Sequence, residues 1–394
     1  MKFIKTFEDW NNVSPELKAH IDEDLDLTNS FFRLGSEAYA KLFEEFILEG
    51  GWSTVKTQNT IITPQVIADT VKIMDKISTG FNLHLMSLDL PSLDALRPVG
   101  SGTWWEDDLQ SGMDKVYGDV DFMIAYPTLK LTDKGEREDE IATVKLYNDE
   151  LFKWLESEKL PEVDIEESKK MSSPISVKLL FVINLKDGET GYVQIDLVVT
   201  HKEYAEWSLF RFTPVKNVKG FVLGNLYSSF GEVLDLSIQT RGVRAKFENS
   251  VMQPWSKRKN TTEELISADA NGFIDDIARF FWAQSGTTKP YQQSDSLKSW
   301  PGMDPNDPKI ETLIDGISAM ADTLQQLGEF GTTIKFQSKD QLLKAVANRY
   351  TEKMMTTYNS SKFNKAQSDE AKATIKKIRA LIEKYIKLVK SKLK

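Results

Sequence analysis

Three aspartates in this 394-residue chain stand where their carboxylates could hold a metal ion. Asp119 and Asp121 lie in YGDVDFMI, and Asp196 lies in VQIDLVV. Because side chains alternate along a strand, Asp119 and Asp121 are expected to point to the same face. Asp196 interrupts an apolar strand, where an ionised carboxylate is costly unless it meets a cation. If the two strands are neighbours, three carboxylates converge on a hard oxygen site for Mg²⁺ or Mn²⁺.

A site of this kind suits phosphoryl transfer with two metal ions, one activating an attacking hydroxyl and the other holding a triphosphate. Gly100 and Ser101 follow a short apolar segment that ends at Val99. Glycine lets backbone N–H groups approach phosphate oxygens, and the serine hydroxyl can add a hydrogen bond. A Gly-Ser turn or an Asp-x-Asp pair alone is common. Their order along three apolar segments predicts a nucleotide-binding metal site.

The composition limits the classes of protein to which the chain can belong. The content of 40% hydrophobic and 28% charged residues is that of a globular protein, and excludes a collagen or a disordered tail. With 50 basic and 59 acidic residues the net charge is −9, so nucleic-acid binding would need a local basic patch. The absence of cysteine excludes disulfides and thiol nucleophiles. No signal peptide or long apolar segment is legible, which predicts a cytoplasmic protein with no membrane partner.

Periodicity predicts which elements position these residues. Apolar spacing predicts helices over residues 14–50 and 63–78, the second ending before Thr79-Gly80. The run VDFMIAYP is predicted to be a strand, and the runs SVKLLFVINL and YVQIDLVV are predicted to be a hairpin joined by KDGETG. The stretch EIATVKLYNDELFKWLES, between the first strand and the hairpin, is predicted to be a helix. Further helices are predicted over VKGFVLGNLYSSFGEVLDL and TEELISADANGFIDDIARFFWA.

These patterns predict five consecutive regions. They are a helical N-terminal region (1–95), the region with the three aspartates (96–215), a mostly helical region on the nucleotide or acceptor side (216–284), a linker or long loop (285–308), and a helical C-terminal region (309–394) that ends in a basic helix.

The motifs VGSG, GDVDFMI and QIDLVV resemble those of the polymerase β-like nucleotidyltransferase superfamily. The resemblance covers roughly residues 96–246, and FRFTP is similar to a nucleotide-lining segment of family X DNA polymerases. It implies an α+β fold, namely a nucleotidyltransferase palm with a short mixed β-sheet, flanked by helical N- and C-terminal regions. It also implies two Mg²⁺ or Mn²⁺ ions on Asp119, Asp121 and Asp196.

The resemblance further assigns triphosphate binding to Gly100 and Ser101 and the nucleotide pocket to Phe212 and Thr213. The implied reaction moves a nucleoside monophosphate from an NTP or dNTP, ATP among them, to a hydroxyl acceptor, with a nucleic acid (DNA or RNA) 3′-OH preferred. A nucleotide, a protein or a small molecule is the alternative acceptor. A catalytically silent nucleotidyltransferase-like binding module is a third interpretation, because Gly102, Thr103 and two tryptophans stand where many members have a phosphate-binding arginine.

The last predicted helix, residues 368–394, carries nine basic and three acidic residues beside an apolar stripe at helical spacing. Two interpretations stay open at this point. The helix could bind a nucleic acid or an acidic partner through its basic side chains, or it could be an amphipathic helix packed against the body of the protein. The sequence does not predict the oligomeric state.

Overall fold

The computed structural model places most of the chain after residue 59. The residues it describes are 60–112, 117, 120–133, 136–185, 188–213, 220–257, 261–304, 309–327, 336, 338–359 and 369–393. The helix predicted over residues 14–50, and Asp119 of the three aspartates, lie outside the described residues.

The first described helix, α1 (Pro64–Ser87), begins at a Thr63 cap whose hydroxyl accepts a hydrogen bond from the Val66 N–H. The prediction that this helix ends before Gly80 is wrong, since it continues for two more turns. Gly80 does not stop the helix but lets a neighbour approach it. A Cβ at Gly80 would lie 2.5 Å from Cζ2 of Trp154, so the glycine sits where the tryptophan packs against the helix.

A mixed four-stranded sheet holds the residues of interest. Its strands are β1 (Asp94–Val99), β2 (Val120–Tyr126), β3 (Val177–Asn184) and β4 (Thr190–His201), in the order β1-β2-β4-β3. β2 runs parallel to β4, and the two outer strands pair antiparallel to their neighbours. The predicted hairpin is therefore confirmed as β3 and β4.

One face of this sheet forms the first hydrophobic core. Its side chains alternate with those of the opposite face, and α1 and α3 (Glu136–Glu158) cover it with Phe81, Tyr147 and Trp154. Between the strands lie a 3₁₀ helix (Gly100–Trp104), α2 (Trp105–Gln110) and α4 (Ile165–Met171). The predicted α+β class, with a short mixed sheet and flanking helices, is confirmed.

The next part of the chain contains a second small sheet. After α5 (Ala205–Phe212) and α6 (Gly220–Val233) come β5 (Ser237–Gln239), β6 (Gly242–Glu248), β7 (Val251–Gln253) and β8 (Thr262–Ser267), with β6 pairing all three others. The helix predicted to begin at TEELIS is wrong there. Those residues form β8, and α7 (Phe273–Gln284) starts only later. Pairing with the buried strand β6 overrides a local preference for helix.

The remaining helices are α8 (Asp295–Lys298), α9 (Ile310–Gln325), α10 (Lys339–Tyr358) and α11 (Asp369–Lys392). They build a second hydrophobic core together with α5, α6, α7 and β6. The stretch predicted as a linker or loop packs on α9, where the Ser294 N–H donates to the Thr323 hydroxyl at 3.0 Å. None of the helices in the described ranges has the length and apolar character needed to cross a membrane.

Candidate active site on the mixed sheet

Asp121 and Asp196 lie side by side on adjacent parallel strands. Their Cα atoms are register partners in the pairing of β2 with β4. The neighbours of Asp121 in sequence, Val120 and Phe122, are fully buried in the first core. Since side chains alternate along a strand, both aspartates project from the opposite face of the sheet. The sequence expectation that the two strands are neighbours is confirmed.

Asp196 has two polar neighbours on that face. Lys178, its register partner on β3, places Nζ 3.5 Å from Oδ2 of Asp196. The side-chain amide of Gln194, two residues earlier on β4, donates to Oδ1 at 2.7 Å. Burial raises the pKa of Asp196 above its ordinary value, while Lys178 and Gln194 act in the opposite direction. The carboxylate therefore sits where its negative charge is only partly compensated.

Gly100 brings backbone directly against the Asp121 carboxylate. It follows Val99, whose register partner on β2 is Asp121, and its φ of +60° lies in the left-handed region. A Cβ at this position would lie 2.7 Å from Oδ2 of Asp121. Only glycine meets both conditions without strain. The glycine singled out in the sequence thus lies next to the first described carboxylate.

Two of the predicted site residues are described only in part or not at all. The Ser101 backbone belongs to the 3₁₀ helix that starts at Gly100, and its side chain is outside the described set. Asp119 is likewise outside it. Among the residues that are described, no group of three or more His, Asp or Glu side chains is placed to hold a metal ion. Asp121 and Asp196 form the described pair, so the predicted third carboxylate stays a prediction.

Phe212 and Thr213 lie at the end of α5, the helix after β4. Phe212 is the last helical residue and is half-buried. The Thr213 side chain is buried, and its hydroxyl donates to the Leu209 carbonyl at 2.7 Å. Trp207 and Phe210 of the same helix belong to the second core. Within the described residues, no hydrogen bond or ion pair links Phe212 or Thr213 to the two aspartates. Their predicted place in a nucleotide pocket remains a prediction.

Lys178 and Gln194 were not predicted as site residues, although the sequence contains a signal for Lys178. The β3–β4 hairpin closes with Asn184 opposite Thr190. Counting back six residues on β3 and forward six on β4 from that pair brings Lys178 opposite Asp196. A lysine inside the apolar run SVKLLFVINL is therefore the expected partner of an aspartate inside VQIDLVV. No comparable signal marked Gln194.

Comparison with known proteins gives a structural similarity only. No protein-family profile matches the chain, and no curated protein sequence matches it. Among solved structures it is similar to polymerase beta of Leishmania infantum in a ternary gap complex and in a ternary P/T complex. Each has a TM-score of 0.30 and 12% sequence identity over 78% of this chain, with 77% and 84% of the other chain covered.

Proposed function

We propose that the chain transfers a nucleoside monophosphate from an NTP or dNTP to a hydroxyl acceptor and releases pyrophosphate. In this proposal Asp119, Asp121 and Asp196 hold two divalent metal ions. The observation that supports it is the register pairing of Asp121 with Asp196, with Gly100 against the Asp121 carboxylate. The acceptor oxygen would form a bond to the α-phosphorus as the bond from that phosphorus to the pyrophosphate oxygen breaks.

The side chains present suit Mg²⁺ or Mn²⁺. Carboxylate oxygens are the ligands that these hard cations prefer, and strands about 4.8 Å apart keep two carboxylates within reach of one ion. Metal ions bound here would lower the pKa of the attacking hydroxyl and stabilise negative charge on the triphosphate. Asp196 supports this assignment further, since its partly compensated charge would gain from an added cation.

Gly100 and Ser101 are proposed to position the triphosphate. The left-handed φ of Gly100 turns the chain directly beside Asp121. A triphosphate held by this turn would have its oxygens close to the metal-binding carboxylates. Phe212 and Thr213 are proposed, on the resemblance of FRFTP alone, to lie near the nucleotide.

A nucleic acid 3′-OH is the proposed acceptor. The FRFTP resemblance and the basic helix α11 support it. A nucleotide, a protein side chain and a small molecule remain the alternative acceptors, for which the same carboxylate chemistry would serve.

The test is a transfer assay with labelled NTPs and dNTPs, Mg²⁺ or Mn²⁺, and single-stranded, duplex and hairpin oligonucleotides. Primer extension that disappears in Asp121→Asn and Asp196→Asn is the expected result. The matched control is Asp94→Asn, since Asp94 lies on β1 of the same sheet, is half-exposed and pairs with Lys202. Oligonucleotide products formed without any added strand would shift the acceptor to a nucleotide. Equal transfer by Asp94→Asn and Asp196→Asn would remove the metal assignment.

One observation favours a second candidate function. The Lys178 ammonium already lies 3.5 Å from Oδ2 of Asp196, where it could take the place of a metal ion. In a catalytically silent binding module, nucleotide would bind without Mg²⁺ and no pyrophosphate would form. Nucleotide affinity measured with and without EDTA separates this candidate from the enzyme.

A further inference from the structure

Helix α11 presents its apolar and basic residues on different faces. Ile375, Ile378, Ile382, Tyr385 and Val389 are buried in the second core. Of the two interpretations left open by the sequence, packing of the apolar stripe is therefore confirmed. This packing fixes the helix on the body of the protein and decides which of its side chains reach solvent.

A row of cations runs along one exposed side of this helix. We call it the basic row. It consists of Lys372, Lys376, Arg379, Lys387 and Lys390, at helix positions that repeat every three or four residues, apart from Glu383 in the middle. From first to last the basic row spans about 27 Å, at about 1.5 Å per residue.

Three charges of the basic row are available to a partner. Lys376, Lys387 and Lys390 are exposed and form no ion pair with any described residue. Arg379 is held in place, because its guanidinium stacks on the Tyr358 ring at 5.0 Å and its Nε–H donates to the Tyr358 carbonyl at 3.3 Å. The residues at the N-terminal end of the row line a cleft of about 410 Å³ with Tyr358 and Glu383. Such a concentration of positive charge contrasts with the overall net charge of −9.

We propose that the basic row binds the phosphate backbone of a nucleic-acid strand without reading its bases. A linear set of cations over about 27 Å suits an extended polyanion, whose affinity comes from release of counterions. Ala380 is the only apolar side chain among the exposed described residues of α11, so the face lacks the apolar anchors of a protein interface. The apolar stripe is buried and cannot enter a lipid bilayer. That the basic row holds the acceptor strand rests on the proposed function. That it binds a nucleic-acid strand does not.

The experiment measures binding of a fluorescent 20-nucleotide single strand to the full chain, in EDTA and without nucleotide, as a function of salt. Two double variants remove the same number of charges from α11 at different positions, so they separate the effect of the basic row from that of total charge. Lys376→Gln with Lys387→Gln removes two charges of the basic row, and Lys377→Gln with Lys384→Gln removes two exposed charges from the same helix outside it. Melting temperatures, which should agree within about 2 °C, show that both variants fold.

The row variant should bind about tenfold more weakly, and its slope of log K against log salt should flatten by about 1.4, which is about 0.7 for each phosphate that is no longer neutralised. The control variant should keep both values. Equal losses in the two variants would overturn the proposal, since general charge would then explain binding. It would also fail if poly-glutamate, or vesicles of phosphatidylcholine with phosphatidylserine, bound the row as tightly as the strand.

Failure here and failure of the proposed function are distinguishable. Binding is measured without metal ions or NTP, so it does not depend on the aspartates. If Asp196→Asn binds the strand normally but transfers nothing, the row stands by itself. If the wild-type chain extends primers and the row variant binds and extends them equally well, the proposal for the basic row is wrong, while the proposal for the carboxylate site is not.

Discussion

Lys178 and Asp196 face each other across β3 and β4 as register partners, with Nζ 3.5 Å from Oδ2. In the absence of a metal ion, the Lys178 ammonium is the cation, among the described residues, that compensates the charge of the Asp196 carboxylate. A bound divalent ion and the ammonium would therefore compete for the same negative charge. The three-aspartate motif alone did not predict this competing positive charge in the site.

The first prediction concerns Lys178→Met. Without the ammonium, ionised Asp196 loses its compensating charge, so the metal-free protein should lose about 1 kcal/mol of unfolding free energy at neutral pH. Mg²⁺ should then raise its melting temperature more than it raises that of the wild type. Thermal melts with EDTA and with Mg²⁺ measure both effects. Lys170→Met, which breaks an exposed ion pair with Glu167, is the control and should respond to Mg²⁺ like the wild type.

A second prediction follows from the raised pKa of Asp196. A carboxyl whose pKa is higher in the folded state contributes stability at low pH, and this contribution is lost as pH rises through the folded pKa. Asp196→Asn and the wild type should therefore melt together near pH 4. With EDTA, the variant should become the more stable protein as pH rises above that value.

Adding Mg²⁺ at neutral pH should reverse this order, because only the ionised wild-type carboxylate gains from the ion. The measurement is the difference in melting temperature between the two proteins from about pH 4 to about pH 8, with and without Mg²⁺. A wild type that is more stable than Asp196→Asn at neutral pH in EDTA would show that the carboxylate has no ionisation cost in the fold.

Gly100→Ala tests the close approach to Asp121. Alanine at this left-handed φ costs about 1 to 2 kcal/mol, and its Cβ would also meet the Asp121 carboxylate. The control is Gly112→Ala, because Gly112 has a φ of +65° but nothing within 4 Å of its added Cβ. Both variants should lose stability. Gly100→Ala alone should lose nucleotidyl transfer by about tenfold to a hundredfold, as expected when a ligand is displaced by up to about 1 Å. Parallel activity losses in the two variants would remove the role of the contact.

Tyr117→Phe tests how the segment before Asp119 is held. The Tyr117 hydroxyl donates to Oδ2 of buried Asp108 at 2.5 Å, and its backbone N–H donates to the Ile62 carbonyl at 2.9 Å. Removing the hydroxyl should cost about 1 to 3 kcal/mol, because a buried carboxylate loses a donor. Transfer activity should fall as well, since Asp119 follows two residues later.

The comparison variant for Tyr117→Phe is Tyr147→Phe. Tyr147 is buried in the same core and its hydroxyl donates to the Pro91 carbonyl at 2.7 Å. It should lose stability with little change in transfer at temperatures where it is folded. Stability is read from denaturant unfolding and transfer from initial rates. Equal activity in the two variants would show that Tyr117 acts only on stability.

Short-range patterns were sufficient for several elements and for part of the site. Runs rich in β-branched and aromatic residues predicted β2 and, with the turn sequence KDGETG, the β3–β4 hairpin, because such residues favour strands. The same rule placed Asp121 and Asp196 on strands. Helical periodicity likewise predicted α3, α6 and α11 within a few residues.

Tertiary structure decided what neighbouring residues in sequence cannot encode. Helix α1 continues through Gly80, which lies against Trp154, 74 residues later in the chain, and TEELIS becomes a strand because β6 offers a partner. Register between β2 and β4 placed Asp196 beside Asp121, and the hairpin brought Lys178 to the same carboxylate. The sequence by itself determined which side chains could do chemistry, since residue type and local period are enough for that. Only the tertiary structure decided their distances and charges, because these depend on contacts between segments far apart in the chain.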